Sequence, residues 1–117
     1  MCETIGSVKN AHARTAPSRR EVDALAGPTL LEFGTSWCGF CRAAQPLIAA
    51  ALASRSGVRH LKVEDGSGRP LGRSFGVKLW PTLVFLKDGR ELARLTRPSG
   101  RAAIDQSLDL IAGAQQP

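Results

Sequence analysis

The chain has 117 residues, a length that suits one domain and hardly two. With 43% apolar and 22% charged residues it has ordinary globular proportions, which exclude wholesale disorder, and no apolar run approaches the roughly 18 residues of a membrane span. Three cysteines are too few for a disulfide scaffold, and sixteen Lys plus Arg against ten Asp plus Glu leave a net charge of +6, which suits an acidic partner without naming one.

Residues 1–17 read as a tail, either flexible or a weak edge element. The polar mixture from Met1 to Ala16 has no apolar core behind a basic start, so no secretory signal is visible and a cytoplasmic protein is expected. In such a reducing compartment a close cysteine pair points to redox chemistry or metal rather than to a lasting staple.

The folded domain is placed at 18–112. Ser18 and Glu21 have capping-box spacing, and Val22, Leu25 and Ala26 follow at helical intervals, so a helix is expected over Ser18–Ala26, stopped by Gly27-Pro28. Thr29–Phe33 is an apolar strand interrupted by Glu32. Gly39–Arg55 turns helical, with Ala44, Leu47, Ile48, Ala51 and Leu52 on one face and Pro46 inside to bend it. Val58–Val63 reads as a strand and Pro70–Phe75 as a short helix with proline in its first turn. Thr82–Leu86 and Glu91–Leu95 read as strands joined by Lys87-Asp88-Gly89-Arg90, a hairpin signal. Ser99 then caps a last helix with Ala103, Ile104, Leu108 and Ile111 as its apolar stripe, and 113–117 form a short C-terminal tail. The order α-β-α-β-α-β-β-α means an α/β fold with a mixed central sheet flanked by helices.

The sharpest motif is Trp37-Cys38-Gly39-Phe40-Cys41, where a strand hands over to a helix. Cys38 there meets the unsatisfied N–H groups of a helix start, surroundings that lower a thiol's pKa from about 8.5 toward 7 or below. Cys41 lies almost one helical turn on. The pair reads as an exposed nucleophile and a shielded partner able to resolve a mixed disulfide. The alternative is half of a zinc site, but the remaining ligand candidates Cys2, His12 and His60 lack the spacing of a second knuckle, so no metal is expected.

Over about Ser18 to Ala112 the sequence resembles the thioredoxin superfamily. Leu30-Leu31-Glu32-Phe33 leads into the Cys-Gly-Phe-Cys motif as that family's apolar strand leads into Cys-Gly-Pro-Cys, and Pro46 stands where its helix-bending proline does. Trp80-Pro81-Thr82 is similar to its cis-proline loop, and Lys87-Asp88-Gly89-Arg90 to the turn of its final hairpin. The resemblance implies a cis Pro81 facing the cysteines, with the Trp80 backbone left free to pair with an extended substrate; a plain strand-entry proline is the other reading. It places Glu32 where thioredoxins carry a buried Asp that accepts the proton of the second cysteine, and Lys62 near that acid. Burial of Glu32 in an apolar strand raises its pKa; an edge-exposed glutamate or a structural ion pair with Lys62 is the alternative.

The departures bear on contact and potential. Phe40 replaces the proline between the cysteines, which predicts a protein less reducing than thioredoxin. Gly34 and Trp80 differ from the usual residues, and Arg97-Pro98 falls where a glycine lines the groove. The implied function is thiol–disulfide exchange on protein disulfides, with Cys38, Cys41, Glu32 and Lys62 catalytic. Trp37, Gly39, Phe40, Trp80, Pro81 and Thr82 would bind substrate. Electrons would come from an external reductase or thiol pool, with no cofactor and no membrane partner, from a monomer. The alternative is a binding module that docks a partner through Trp37, Phe40 and Trp80 with incidental redox activity. The arginines are scattered, with Arg19-Arg20 the only adjacent pair and no interleaved aromatics, so nucleic-acid binding is not favoured. Cys2, His12 and His60 are read as bystanders.

Overall fold

A computed structural model of the chain describes residues 16–112; the two ends, and with them Cys2 and His12, lie outside the described residues. The elements follow the expected order: α1 (Arg19–Asp23), β1 (Pro28–Gly34), α2 (Gly39–Ala53), β2 (Arg59–Glu64), α3 (Pro70–Ser74), β3 (Thr82–Lys87), β4 (Arg90–Thr96) and α4 (Arg101–Ala112). The strands form one mixed sheet in the order β2-β1-β3-β4, with β1 parallel to β2 and antiparallel to β3.

Local chemistry accounts for the boundaries. Ser18 and Glu21 form the reciprocal capping box, the Glu21 N–H donating to Ser18 Oγ and the Ser18 N–H to Glu21 Oε1. The helix it starts ends at Asp23, shorter than the expected Ser18–Ala26, because the chain must reverse through Gly27 at φ +78° to enter β1. In the β3–β4 turn Asp88 and Gly89 both take positive φ, 52° and 80°, as a type I′ hairpin requires. Asp88 also ties this turn to the α1–β1 junction: the Gly27 N–H donates to its carboxylate and its own N–H donates to the Gly27 carbonyl. A methyl on Gly89 would collide with the Asp23 carbonyl.

β1 is buried on both faces, which explains its nearly continuous apolar run. Leu31, Phe33, Val63, Phe75, Val84 and Leu86 pack on one face of the sheet against α1 and α3. Leu30, Ile48, Leu83, Phe85, Ile104 and Leu108 pack on the other against α2 and α4. One expectation for α4 fails: Ala103 is exposed, and Ser107 is buried on the inner face instead. Ser107 and Leu108 sit three and four residues after Ile104, whereas Ala103 is rotated away.

Because Phe85 is fully buried between β1 and the two long helices, Phe85→Ala should lower stability by about 3–5 kcal/mol. Leu110→Ala on the exposed face of α4 should change it by less than about 0.5 kcal/mol. Urea denaturation of the reduced proteins measures both.

Candidate active site

β1 ends at Gly34, and α2 starts at Gly39, so the intervening segment carries Cys38 to the N-cap of α2. Both cysteines are free thiols. The Cys41 N–H donates to Cys38 Sγ at 3.2 Å, so the sulfur of the N-cap residue caps its own helix. This contact turns Cys38 inward. The residue expected to be an exposed nucleophile is only 8% exposed, against 1% for Cys41. The order of accessibility holds, but the contrast is small. Gly39 has open space above it, where a methyl would touch nothing.

Burial pushes the Cys41 thiol up to about 12, helped by its hydrogen bond to Cys38 and by the negative charges of Cys38 and Glu32. A backbone contact with Thr35 works in the opposite direction. Cys41 therefore does not ionise unaided near neutral pH.

Glu32 is completely buried, as its strand position led us to expect, and the edge-exposed alternative fails because β1 lies between β2 and β3. Gln45 Nε2 donates to Glu32 Oε2 at 2.7 Å and also to the Cys41 carbonyl at 2.9 Å. Lys62, paired with Glu32 in the β1–β2 register, donates from Nζ to Gln45 Oε1 at 2.9 Å, so an amide bridges lysine and carboxylate. His60 is not the bystander the sequence suggested, since its Nε2 lies 2.8 Å from Glu32 Oε1. Gln45 and His60 are the partners that sequence reasoning missed. The parallel register, which sets His60 beside Leu30 and hence on the face of Glu32, is the signal that could have found His60.

Across the site the Trp80–Pro81 peptide is cis, as the resemblance implied. Trp37 and Phe40 are 69% and 56% exposed, whereas Trp80 is half-buried. Trp37 meets Trp80 edge to face at 5.7 Å, and Trp80 Nε1 donates to Asp65 Oδ2 at 2.9 Å. Asp65 itself lies against Gly72, where any side chain would displace it. Two expectations change here. Thr82 is buried and its hydroxyl donates to the Leu79 carbonyl, so it holds the loop rather than facing outward. The Trp80 carbonyl is not free, because Arg97 Nε donates to it at 2.7 Å.

Such a pair, one sulfur at a helix N-cap and one thiol buried beside a carboxylate, is suited to nucleophilic attack followed by internal resolution. The family model described as Thioredoxin matches residues 11–110. The structure of thioredoxin 2 from Pseudomonas aeruginosa PAO1 in its reduced form is 56% identical, covering 91% of this chain and 98% of that one, with a TM-score of 0.81. Thioredoxin Asp f 28 of Aspergillus fumigatus is 32% identical over 68 residues, 58% of this chain and 63% of that protein. Protein disulfide-isomerase A2 of Pongo abelii is 45% identical over 64 residues, 51% of this chain but 12% of its own length.

The raised thiol has a consequence for stability. A folded-state pKa above the unfolded value favours the native state at low pH, so the contribution is complete below about pH 9 and lost as pH rises toward about 12. The reduced protein should lose urea resistance across that window, and Cys41→Ala should lose less.

Proposed function

The chain belongs to the thioredoxin family of thiol–disulfide oxidoreductases, and on that premise we propose that it reduces or exchanges disulfides in protein substrates through Cys38 and Cys41. The observation that carries this reading is the Cys38–Cys41 contact at the start of α2, backed by the buried Glu32 network. Cys38, attacking as the thiolate, bonds to one sulfur of the substrate disulfide, breaking the substrate S–S bond, forming a mixed disulfide and releasing the other substrate sulfur as a thiolate. Cys41 gives its proton to Glu32 as it attacks Cys38 Sγ. That step closes the Cys38–Cys41 bond and releases the second substrate sulfur. Two electrons pass from the dithiol to the substrate, and an external reductase or thiol pool restores them.

The raised pKa of Cys41 is the reason a proton acceptor is needed, and Glu32 is the carboxylate whose charge reaches it. Gln45 positions Glu32 by a direct hydrogen bond, while Lys62 steadies Gln45 from the far side. Trp37, Phe40 and Trp80 form the rim against which an extended segment docks, with Gly39 leaving room and Pro81 removing a competing donor. This surface serves the exchange chemistry, and nothing in the site favours a module with incidental redox activity. Among the described residues no helix is long and apolar enough to cross a membrane. We place the protein in the cytoplasm, as a monomer acting without a cofactor.

A mixed-disulfide trap tests the mechanism. Cys41→Ser should accumulate disulfide-linked substrates, Cys38→Ser should capture none, and Glu32→Gln should slow resolution by about a hundredfold, read by mass spectrometry of quenched reactions. A glutathione redox titration should return a potential between about −270 and −180 mV, because Phe40 stands where thioredoxin has proline. A value at or below the lower limit would remove Phe40 as a tuning residue.

A further inference from the structure

We propose that Arg97 is a displaceable strap over the substrate-strand site, and that it selects disulfide-bearing protein segments with an acidic side chain next to the reactive cysteine. The proposal rests on the exchange reading above and names its substrate class.

Arg97 follows β4 at φ +51°, and its N–H donates to the Pro81 carbonyl at 2.9 Å. The backbone is thus anchored to the cis-proline loop, while the side chain reaches across the groove. Nε donates to the Trp80 carbonyl at 2.7 Å, and the guanidinium carbon lies 4.0 Å from the centre of the Phe40 ring. One cation therefore occupies the acceptor that a docking strand needs and covers one of the aromatics that would hold it. An incoming segment must break a charge-assisted hydrogen bond and a cation–π contact.

What the displaced guanidinium meets next decides the selection. Among the described residues Arg97 forms no ion pair with a carboxylate. On the other side of Trp80 a cavity of about 230 Å³ is lined by Arg73, Lys78 and Arg69, the last paired with Glu64 at 3.6 Å, and the acid lining it, Asp65, is engaged by the indole of Trp80. A segment with a carboxylate beside its cysteine gives the released guanidinium a new partner. A lysine there would face the same cation with no compensation. The anchored backbone keeps the swung side chain within reach of the docked segment.

The test uses the full chain, reduced beforehand, in single-turnover reactions with disulfide peptides that differ only in having Glu, Gln or Lys next to the reactive cysteine. The Glu peptide should react about tenfold faster than the Lys peptide at low salt, the gap narrowing in 0.5 M salt at a Debye length of about 4 Å. In Arg97→Gly the gap should shrink to about twofold or less while the Gln peptide reacts faster, because the Trp80 carbonyl is freed. Arg97→Gln keeps a side chain of similar reach without charge, so it should also lose the gap; it carries the same comparison if the glycine variant fails to fold. Equal rates for the Glu and Lys peptides with the unmodified protein would overturn the proposal, as would a gap that survives in both variants. Failure of the unmodified protein to react with any of the peptides would instead sink the exchange reading itself, and the strap with it.

Discussion

The constraint on which the site depends is the carboxylate of Glu32, placed without solvent contact in the middle of the central strand. An isolated buried charge is costly unless hydrogen bonds compensate it, so the fold has to bring polar groups to this point. It does so from two directions. β2 supplies His60 and Lys62 through its parallel register, and α2 supplies Gln45. Gln45 then does a second service by donating to the Cys41 carbonyl, which links the acid to the first turn of the helix that carries both cysteines. The sheet, the helix and the reactive pair share one hydrogen-bonded unit, and the position of the thiols follows from satisfying the acid.

A similar economy governs the opposite wall. Trp80 is held by its indole N–H to Asp65, and Asp65 by the absence of any side chain at Gly72. The carbonyl of the same tryptophan is taken by Arg97. A side chain that is half-buried in the fold thus presents a fixed ring to Trp37, while its backbone partner is a flexible cation. One wall of the groove is tied by side-chain contacts, and its cover is the side chain of Arg97.

How much of this could be read from the sequence depended on the range of the interaction. The capping box at Ser18, the Asp88-Gly89 turn and the periodicity of α2 are local signals, and each stands in the structure where its spacing placed it. The Cys38–Cys41 pair was legible for the same reason. Ala103 was misjudged because a helix face is set by the partner it meets, and alanine gives a weak signal on either side. Of the contacts that span the sheet, Lys62 beside Glu32 was indicated, and only by resemblance. His60 lies 28 residues from Glu32, and the pair depends on a register that no local feature announces. In the sequence Arg97 stands out only as a departure from glycine; that its guanidinium spans Phe40 and Trp80 follows from the hairpin geometry and the position of α2.

The hairpin has one more property. Among the described residues β4 is paired on one side only, and it carries the charged residues Arg90, Glu91 and Arg94 around a register shift opposite Phe85 and Leu86. Irregular pairing and charge are what keep a sheet margin from templating growth by another chain. On this side of the molecule backbone-to-backbone recruitment is discouraged at β4. A protein that exchanges disulfides in other proteins is thereby protected from templating their aggregation along that margin.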